Sequence, residues 1–307
     1  MTWLRKVPYR LPTILAAIII FVFFIIPIGH IAVYSVFHYD NMRIYEPGFT
    51  LDNYSAMFMD ASYRGVLVRT LWLSVAATSI CLVMGYIIAL YLRNAGNKER
   101  SLIAMVALIP ILFSDVVLAY AWTILLSRTG PLSAVLEGLG ISEGSTSIIG
   151  TEQAILLGLI YQGIGYMILN LHTALEALGD AELRAAAMLG AGPMTRFLKV
   201  TLPMSLPGAL SGVLITFAVT SSAFVIPQML GGTGNPVLSV FVYNMNSFVL
   251  NWPVGGAATI VLLIISVSTA LGLMKVGGGR DEQSTVTQVK KTRMETVAPE
   301  FAGSSNA

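Results

Sequence analysis

Residues 181–203 read AELRAAAMLGAGPMTRFLKVTLP, a charged stretch set between long apolar runs. Glu182, Arg184, Arg196 and Lys199 supply ionic groups. Leu183, Met188, Leu189, Met194, Phe197 and Leu198 supply more apolar surface than a connector needs. That mixture suits docking rather than bond-making. Elsewhere, Asp115 is the one carboxylate deep in an apolar run. A charge at the bilayer centre costs roughly 2.5–3.5 kcal/mol on insertion scales, so Asp115 should face water or a bundle interior. It suits a cationic solute, and it equally suits a structural bond to a neighbouring helix. Tyr120 and Trp122 follow it, residue types common as interfacial anchors. Tyr161, Gln162 and Tyr166 cluster in another run, with Gly163 and Gly165 permitting close helix packing. Ser221, Ser222 and Gln228 give a third run polar points around Pro227, where a kink is expected. His30 and His172 read as helix-end residues. Metal-ligand spacing, a phosphate-binding loop and a nucleophile motif are all missing, so the catalytic and metal-ligand expectations are none.

These residues sit in a chain of unusual composition. Hydrophobic residues make up 55% and charged residues 11% of 307, against roughly 25% charged in soluble domains. The mean hydropathy is +0.76. Such a chain reads as an all-α integral membrane protein. The net charge of +2 gives no footprint for nucleic acid. The lone cysteine, Cys81, excludes an intrachain disulfide and reads as a small buried hydrophobe.

Six spans are expected, over 11–37, 70–92, 101–127, 153–175, 204–230 and 253–275. The first is too long for a signal-peptide core. The third is interrupted only by Asp115. Gly231 to Pro236 and the Asn251-Trp252-Pro253 turn break the long uncharged stretch after residue 200. Residues 237–251 are short for a span and polar at the centre, so they should lie at the outer interface or dip into a cavity. The loop 38–69 should hold a short helix near 51–59. With the N-terminus inside, Arg43, Arg64, Arg69 and Arg128 fall outside, and the other basic residues fall inside. That asymmetry favours six crossings with both termini cytoplasmic over seven crossings, which would export the basic tail. The expected organisation is a cytoplasmic segment 1–10, a membrane domain 11–275, and a disordered polar tail 276–307.

The charged stretch then lies in the cytoplasm. Asp180 is expected to cap a helix beginning at Ala181. Gly190 should end that helix in the left-handed conformation, and Pro193 should begin a second helix of about two turns. Pro203 should limit the second helix. The result is either a rigid knob for a partner's groove or a basic amphipathic loop lying on lipid.

The order Leu178, Ala185, Ala186, Leu189, Gly190, Ala191, Pro193, then Phe197, Val200, Leu202, Pro203, resembles the EAA motif of permease subunits of binding-protein-dependent ABC importers. Further likeness runs over most of residues 10–275. Ile109-Pro110 through Trp122, Gly130-Pro131-Leu132, Phe224-Val225-Ile226-Pro227, Leu230-Gly231-Gly232 and Asn251-Trp252-Pro253 resemble the spermidine/putrescine branch of type I importers. The resemblance implies the type I permease fold, a bacterial inner-membrane location, and a non-enzymatic subunit that binds no cofactor. ATP and Mg would sit on a partner ATPase dimer. A second permease, non-identical as in the branch's usual pairing, and a periplasmic solute-binding protein would complete the complex. Glu182, Arg184, Ala185, Ala186, Gly190, Ala191, Pro193, Phe197, Leu202 and Pro203 would form the ATPase-coupling surface. Asp115, Tyr120, Tyr161, Gln162, Ser221, Ser222 and Gln228 would be candidates for the translocation path of a polyamine, opine or amino-acid derivative. Three departures stand out. Arg184 takes the place of the family's glutamate, Ala223 that of an acid before Phe-x-x-Pro, and Gly165 that of a helix-four proline. The rival readings are a self-contained secondary transporter, which would need paired ionisable groups in its spans, and a membrane scaffold or sensor.

Overall fold

Water-free surroundings leave a backbone little choice but the helix, and helices dominate this chain. The computed structural model describes residues 10–140, 147–232 and 234–278. The expected segment before residue 10 and most of the expected tail lie outside the described residues. In chain order the helices are α1 (Arg10–Tyr34), α2 (Asp52–Met59), α3 (Ala61–Asn94), α4 (Asn97–Leu112), α5 (Asp115–Leu126), α6 (Pro131–Gly138), α7 (Glu152–Glu176), α8 (Asp180–Met188), α9 (Pro193–Arg196), α10 (Leu202–Ser222), α11 (Val225–Leu230), α12 (Leu238–Asn244) and α13 (Trp252–Gly278). Five helical stretches are long and apolar enough to cross a membrane, or six when the bent α4–α5 pair counts as one span. The all-α membrane expectation therefore holds.

Several boundaries move. α3 begins at Ala61, nine residues before the expected span, and at 34 residues is roughly 51 Å long. α13 continues past the expected end to Gly278. The expected helix at 51–59 is α2. A two-stranded antiparallel ribbon, β1 (His38–Asp40) with β2 (Ile44–Glu46), was not anticipated. The Asp40 carboxylate accepts the Met42 and Arg43 backbone N–H groups in its turn, at 2.6 and 2.8 Å. The Arg43 bond, then the Met42 bond, hold that carboxyl below its usual range.

The chain divides into two compact units. One comprises Met1–Leu73, Ala119–Ile155 and Ser222–Ile265. Its larger core joins Met57 of α2, Val66 and Leu67 of α3, Leu238 and Phe241 of α12, and Val254, Ala258 and Val261 of α13. Residues 237–251 are thus neither a span nor a surface strip alone: α12 buries Leu238, Val240 and Phe241, while the following π turn (Met245–Val249) exposes Phe248. Polar bonds fix this packing. Arg69 Nε donates to Glu152 Oε1 at 2.8 Å and its Nη1 to the Pro236 carbonyl at 3.3 Å. Thr70 Oγ1 accepts the Leu238 N–H at 2.7 Å and donates to the Val66 carbonyl at 2.8 Å. Asn251 Oδ1 accepts the Val254 N–H at 3.1 Å, so Asn251 caps α13 and Pro253 sits in the first turn, where no donor is required.

The expected kink at Pro227 lies four residues earlier. α10 stops at Ser222, and Ala223 and Phe224 separate it from α11. A proline N cannot donate to the carbonyl four residues before it, which here is Ala223. That carbonyl is instead met by Ser239 Oγ at 2.6 Å.

The other unit comprises Ser74–Leu118, Leu156–Ser221 and Ser266–Ala307. Its core is a close helix contact built on small residues. Met167 of α7 is fully buried, and a Cβ at Gly85 of α3 or Gly212 of α10 would stand 2.8 Å from its Cγ or 2.9 Å from its Sδ. A Cβ at Gly163 would stand 2.7 Å from Thr216 Cγ2 and 3.4 Å from Cys81 Sγ. Cys81 donates to the Ile160 carbonyl at 3.4 Å, in keeping with its reading as a buried small residue. Overpacking such a contact costs about 1–3 kcal/mol. Gly163→Leu should therefore lower the thermal unfolding temperature in detergent, whereas Gly272→Leu, with open space around it, should leave it unchanged.

Candidate functional site

The charged stretch folds as two short helices joined by a tight turn. α8 starts at Asp180, one residue before the expected start, with extended Gly179 in the cap position. Asp180 is therefore the first helical residue rather than the cap. The Glu182 carboxylate folds back over Gly179, with Oε2 2.6 Å from where a Cβ would stand there. That is the third-residue position from which an acid favours a helix start. Glu182 thus serves its own helix, while Arg184 is exposed on α8.

The turn is closed by two backbone bonds. Gly190 N–H donates to the Ala187 carbonyl at 3.0 Å, and Ala191 N–H to the Ala186 carbonyl at 3.1 Å. Gly190 has φ 80°, the left-handed value this motif requires. Gly192 then caps α9, and Pro193 is its first residue. Met188 and Leu189 at the tip are each 88% exposed, and Met194 is exposed beside them. Ala185 is exposed, and Ala186 and Ala191 are half-buried.

The second helix does not stop at Pro203. α9 runs through a π turn (Phe197–Thr201) directly into α10, giving one helical stretch from Pro193 to Ser222. Pro203 offers no N–H to the carbonyl four residues back. The turn before it widens, and Leu202 N–H reaches five residues back to the Phe197 carbonyl. The helix that begins at Pro193 and the apolar span are therefore one rod. Phe197 packs edge-on to Tyr86 of α3, with ring centroids 5.9 Å apart. Tyr86 Oη and the buried Ser205 Oγ of α10 are hydrogen-bonded at 2.9 Å. Arg93 of α3 donates through Nη2 to the Leu178 carbonyl at 2.9 Å, which fixes the approach to α8.

The candidate path residues disperse. Asp115 and Gln162 come together: Gln162 Nε2 donates to Asp115 Oδ1 at 3.0 Å. Asp115 is not inside a continuous span. α4 and α5 meet at a 102° bend, and Asp115 is the first residue of α5. Ser114 caps that helix, its carbonyl accepting the Leu118 N–H at 3.1 Å. Ser-Asp is a helix-start signal, and a carboxylate there is favoured by the helix dipole. Gln162 is 6% exposed, and its Oε1 has no partner among the described residues. Ser221 is buried and donates to the Ala218 carbonyl of its own helix at 3.2 Å. Ser222 and Gln228 are exposed, Tyr161 is half-buried, and Tyr120 is exposed on α5. The reading missed buried Ser74 and Thr78 on α3 and Thr216 and Thr220 on α10. Ser74 and Thr78 hydroxyls have no partner among the described residues, and a Cβ at Gly163 would touch both threonines of α10. The four-residue spacing of each pair was the available signal. Among the described residues, no group of three or more His, Cys, Asp or Glu could hold a metal ion.

Residues 82–275 match the family of binding-protein-dependent transport system inner membrane components. The spermidine/putrescine transport system permease protein PotB of Escherichia coli (strain K12) is 30% identical over 217 residues, covering 71% of this chain and 78% of that protein. A bacterial ABC transporter involved in import of the acidic polysaccharide alginate superposes with a TM-score of 0.71 at 18% identity, over 88% of this chain and 94% of the other. The MetNI methionine ABC transporter in an inward-facing conformation gives a TM-score of 0.51 at 21% identity, over 72% and 99%. These two structural likenesses concern the fold.

Replacing Arg93 by Met should release the Leu178 carbonyl. A hydrogen bond to a charged group contributes about 1.5–3 kcal/mol. Amide hydrogen exchange over residues 177–189 should accelerate, while the Met167 contact in the second unit's core keeps its protection.

Proposed function

The chain belongs to the binding-protein-dependent transport system inner membrane components, as a multi-pass permease subunit of an ABC importer, and we propose that it carries a polyamine or related small polar solute. ATP hydrolysis in such importers belongs to a separate subunit. In this reading the chain forms half of the translocation path beside a second, unlike permease. It binds no cofactor, and ATP with Mg occupies the partner ATPase dimer. Both termini face the cytoplasm, as the basic residues favour. A periplasmic protein delivers the solute. The solute class is supported by the likeness to a spermidine/putrescine permease.

The observation that carries the coupling reading is the continuous helical rod from Pro193 to Ser222, joined through the closed Gly190 turn to a tip with exposed Met188 and Leu189. A tip on a flexible loop would absorb a push. A tip held by a closed turn at the head of one hydrogen-bonded helix transmits it. ATP binding would close the ATPase pair on the tips and turn the rods, so that the path opens outward to the loaded binding protein. Hydrolysis would restore the inward state. Arg184, exposed on α8 where the family resemblance expects an acid, would meet an acidic residue of the ATPase.

Asp115 with Gln162 is the pair best suited to an ammonium group in the path. The carboxylate is exposed, and the unpartnered Gln162 Oε1 offers a second acceptor. Asp115 meets the Gln162 amide rather than a cation, unlike the paired ionisable groups that a secondary transporter would need.

The test is reconstitution with the ATPase, the second permease and the binding protein. ATP hydrolysis stimulated by spermidine-loaded binding protein, with accumulation of spermidine, is the expected result. Accumulation by the purified chain alone on an ion gradient would overturn it. Gly190→Pro removes the N–H that meets Ala187 and forbids the φ of 80°. That variant should insert normally yet show hydrolysis without uptake. Unchanged uptake would sink the lever.

A further inference from the structure

Beside the rod, the second unit holds a groove of about 1010 Å³ between the C-terminal half of α3 and the helix that carries the tip. Val83, Ile87 and Leu90 of α3 line one side, and Phe197 and Leu202 line the other. Val83 and Ile87 are 62% and 65% exposed, so nothing within the described chain covers them. Beyond Leu90 the lining turns basic, with Arg93 from α3 and Arg196 from α9. The Arg196 Nε is buried and has no hydrogen-bond partner among the described residues.

We propose that this groove binds an anionic phospholipid, with its phosphate on Arg196 and an acyl chain along α3. Three observations select this occupant. α3 is long and apolar enough to cross a membrane, so its exposed apolar wall suits hydrocarbon better than water. From Leu82 to Arg93 the wall is roughly 16 Å long at 1.5 Å per residue. One leaflet of a hydrocarbon core about 30 Å thick is roughly 15 Å deep, so a single acyl chain spans the wall and puts its phosphate at the arginines. Finally, a guanidinium with a buried, unmet N–H calls for an acceptor oxygen, and a phosphate supplies one with compensating charge. Basic pockets between membrane helices bind anionic headgroups by the same logic. The lipid would then brace Phe197 and the π turn, the point where tip and span join.

The assembled importer in nanodiscs of mixed phosphatidylethanolamine and phosphatidylglycerol provides the test, read by native mass spectrometry of retained lipid. Phosphatidylglycerol should be retained selectively. Arg196→Gln should cut that retention about fivefold, and Arg196→Lys should restore part of it. Ile87→Trp, which fills the apolar wall and leaves both arginines in place, should abolish retention of the same lipid; it decides the matter if Arg196→Gln fails to assemble. Equal retention of both lipids, or retention indifferent to Ile87→Trp, overturns the proposal. So does a photo-crosslinker at residue 87 that labels the ATPase or the second permease instead of lipid.

Discussion

A proline inside an apolar helix deletes one backbone donor, and the carbonyl four residues earlier must be met some other way where water is scarce. Two prolines of this chain are accommodated in opposite ways. At Pro227 the helix parts, and Ser239 closes the Ala223 carbonyl from another element. At Pro203 it stays whole, because a π turn lets Leu202 N–H reach the Phe197 carbonyl. One proline makes a break where α11 and α12 can fold back. The other leaves one helical stretch from Pro193 to Ser222.

Both compact units combine polar bonds with close packing, and a different contact stands out in each. One uses cross-element polar bonds, with Arg69 tying Glu152 and the Pro236 carbonyl together. The other brings helices close over glycines, so that the side chain of Met167 fits where Gly85 and Gly212 leave room. Close approach of this kind is the usual route to helix association in lipid, where the hydrophobic effect gives no drive between helices. The same closeness leaves Ser74, Thr78 and Gln162 Oε1 buried with no partner among the described residues. Such groups are costly in isolation, and water or another polar group beside them would lower that cost.

The tip gains its stiffness from ordinary helix-end chemistry. A left-handed glycine, two closing backbone bonds and a proline start leave the chain around Gly190 little freedom. The closed turn thus holds the exposed Met188 and Leu189 close to the start of the Pro193–Ser222 helix. Bound lipid at the Arg196 groove would act on the same joint from the membrane side.

Composition and period settled much by themselves. The apolar runs, the charge asymmetry, the Gly190 turn and the Pro193 helix start were all legible, because each depends on local chemistry along one segment. The short helix at α2 and the helix start at Asn251-Trp252-Pro253 were legible for the same reason. Tertiary structure decided the rest. Asp115 looked like a charge buried in a span, yet Ser114 and Asp115 start a new helix at a 102° bend, and only the neighbouring Gln162 shows what the carboxylate meets. Pro203 looked like a stop, and whether a proline breaks or merely widens a helix depends on what else can satisfy the backbone. The threonines of α10 and the wall beside Arg196 became visible only when separate helices came together, since burial and unmet donors are properties of neighbours that no single segment encodes.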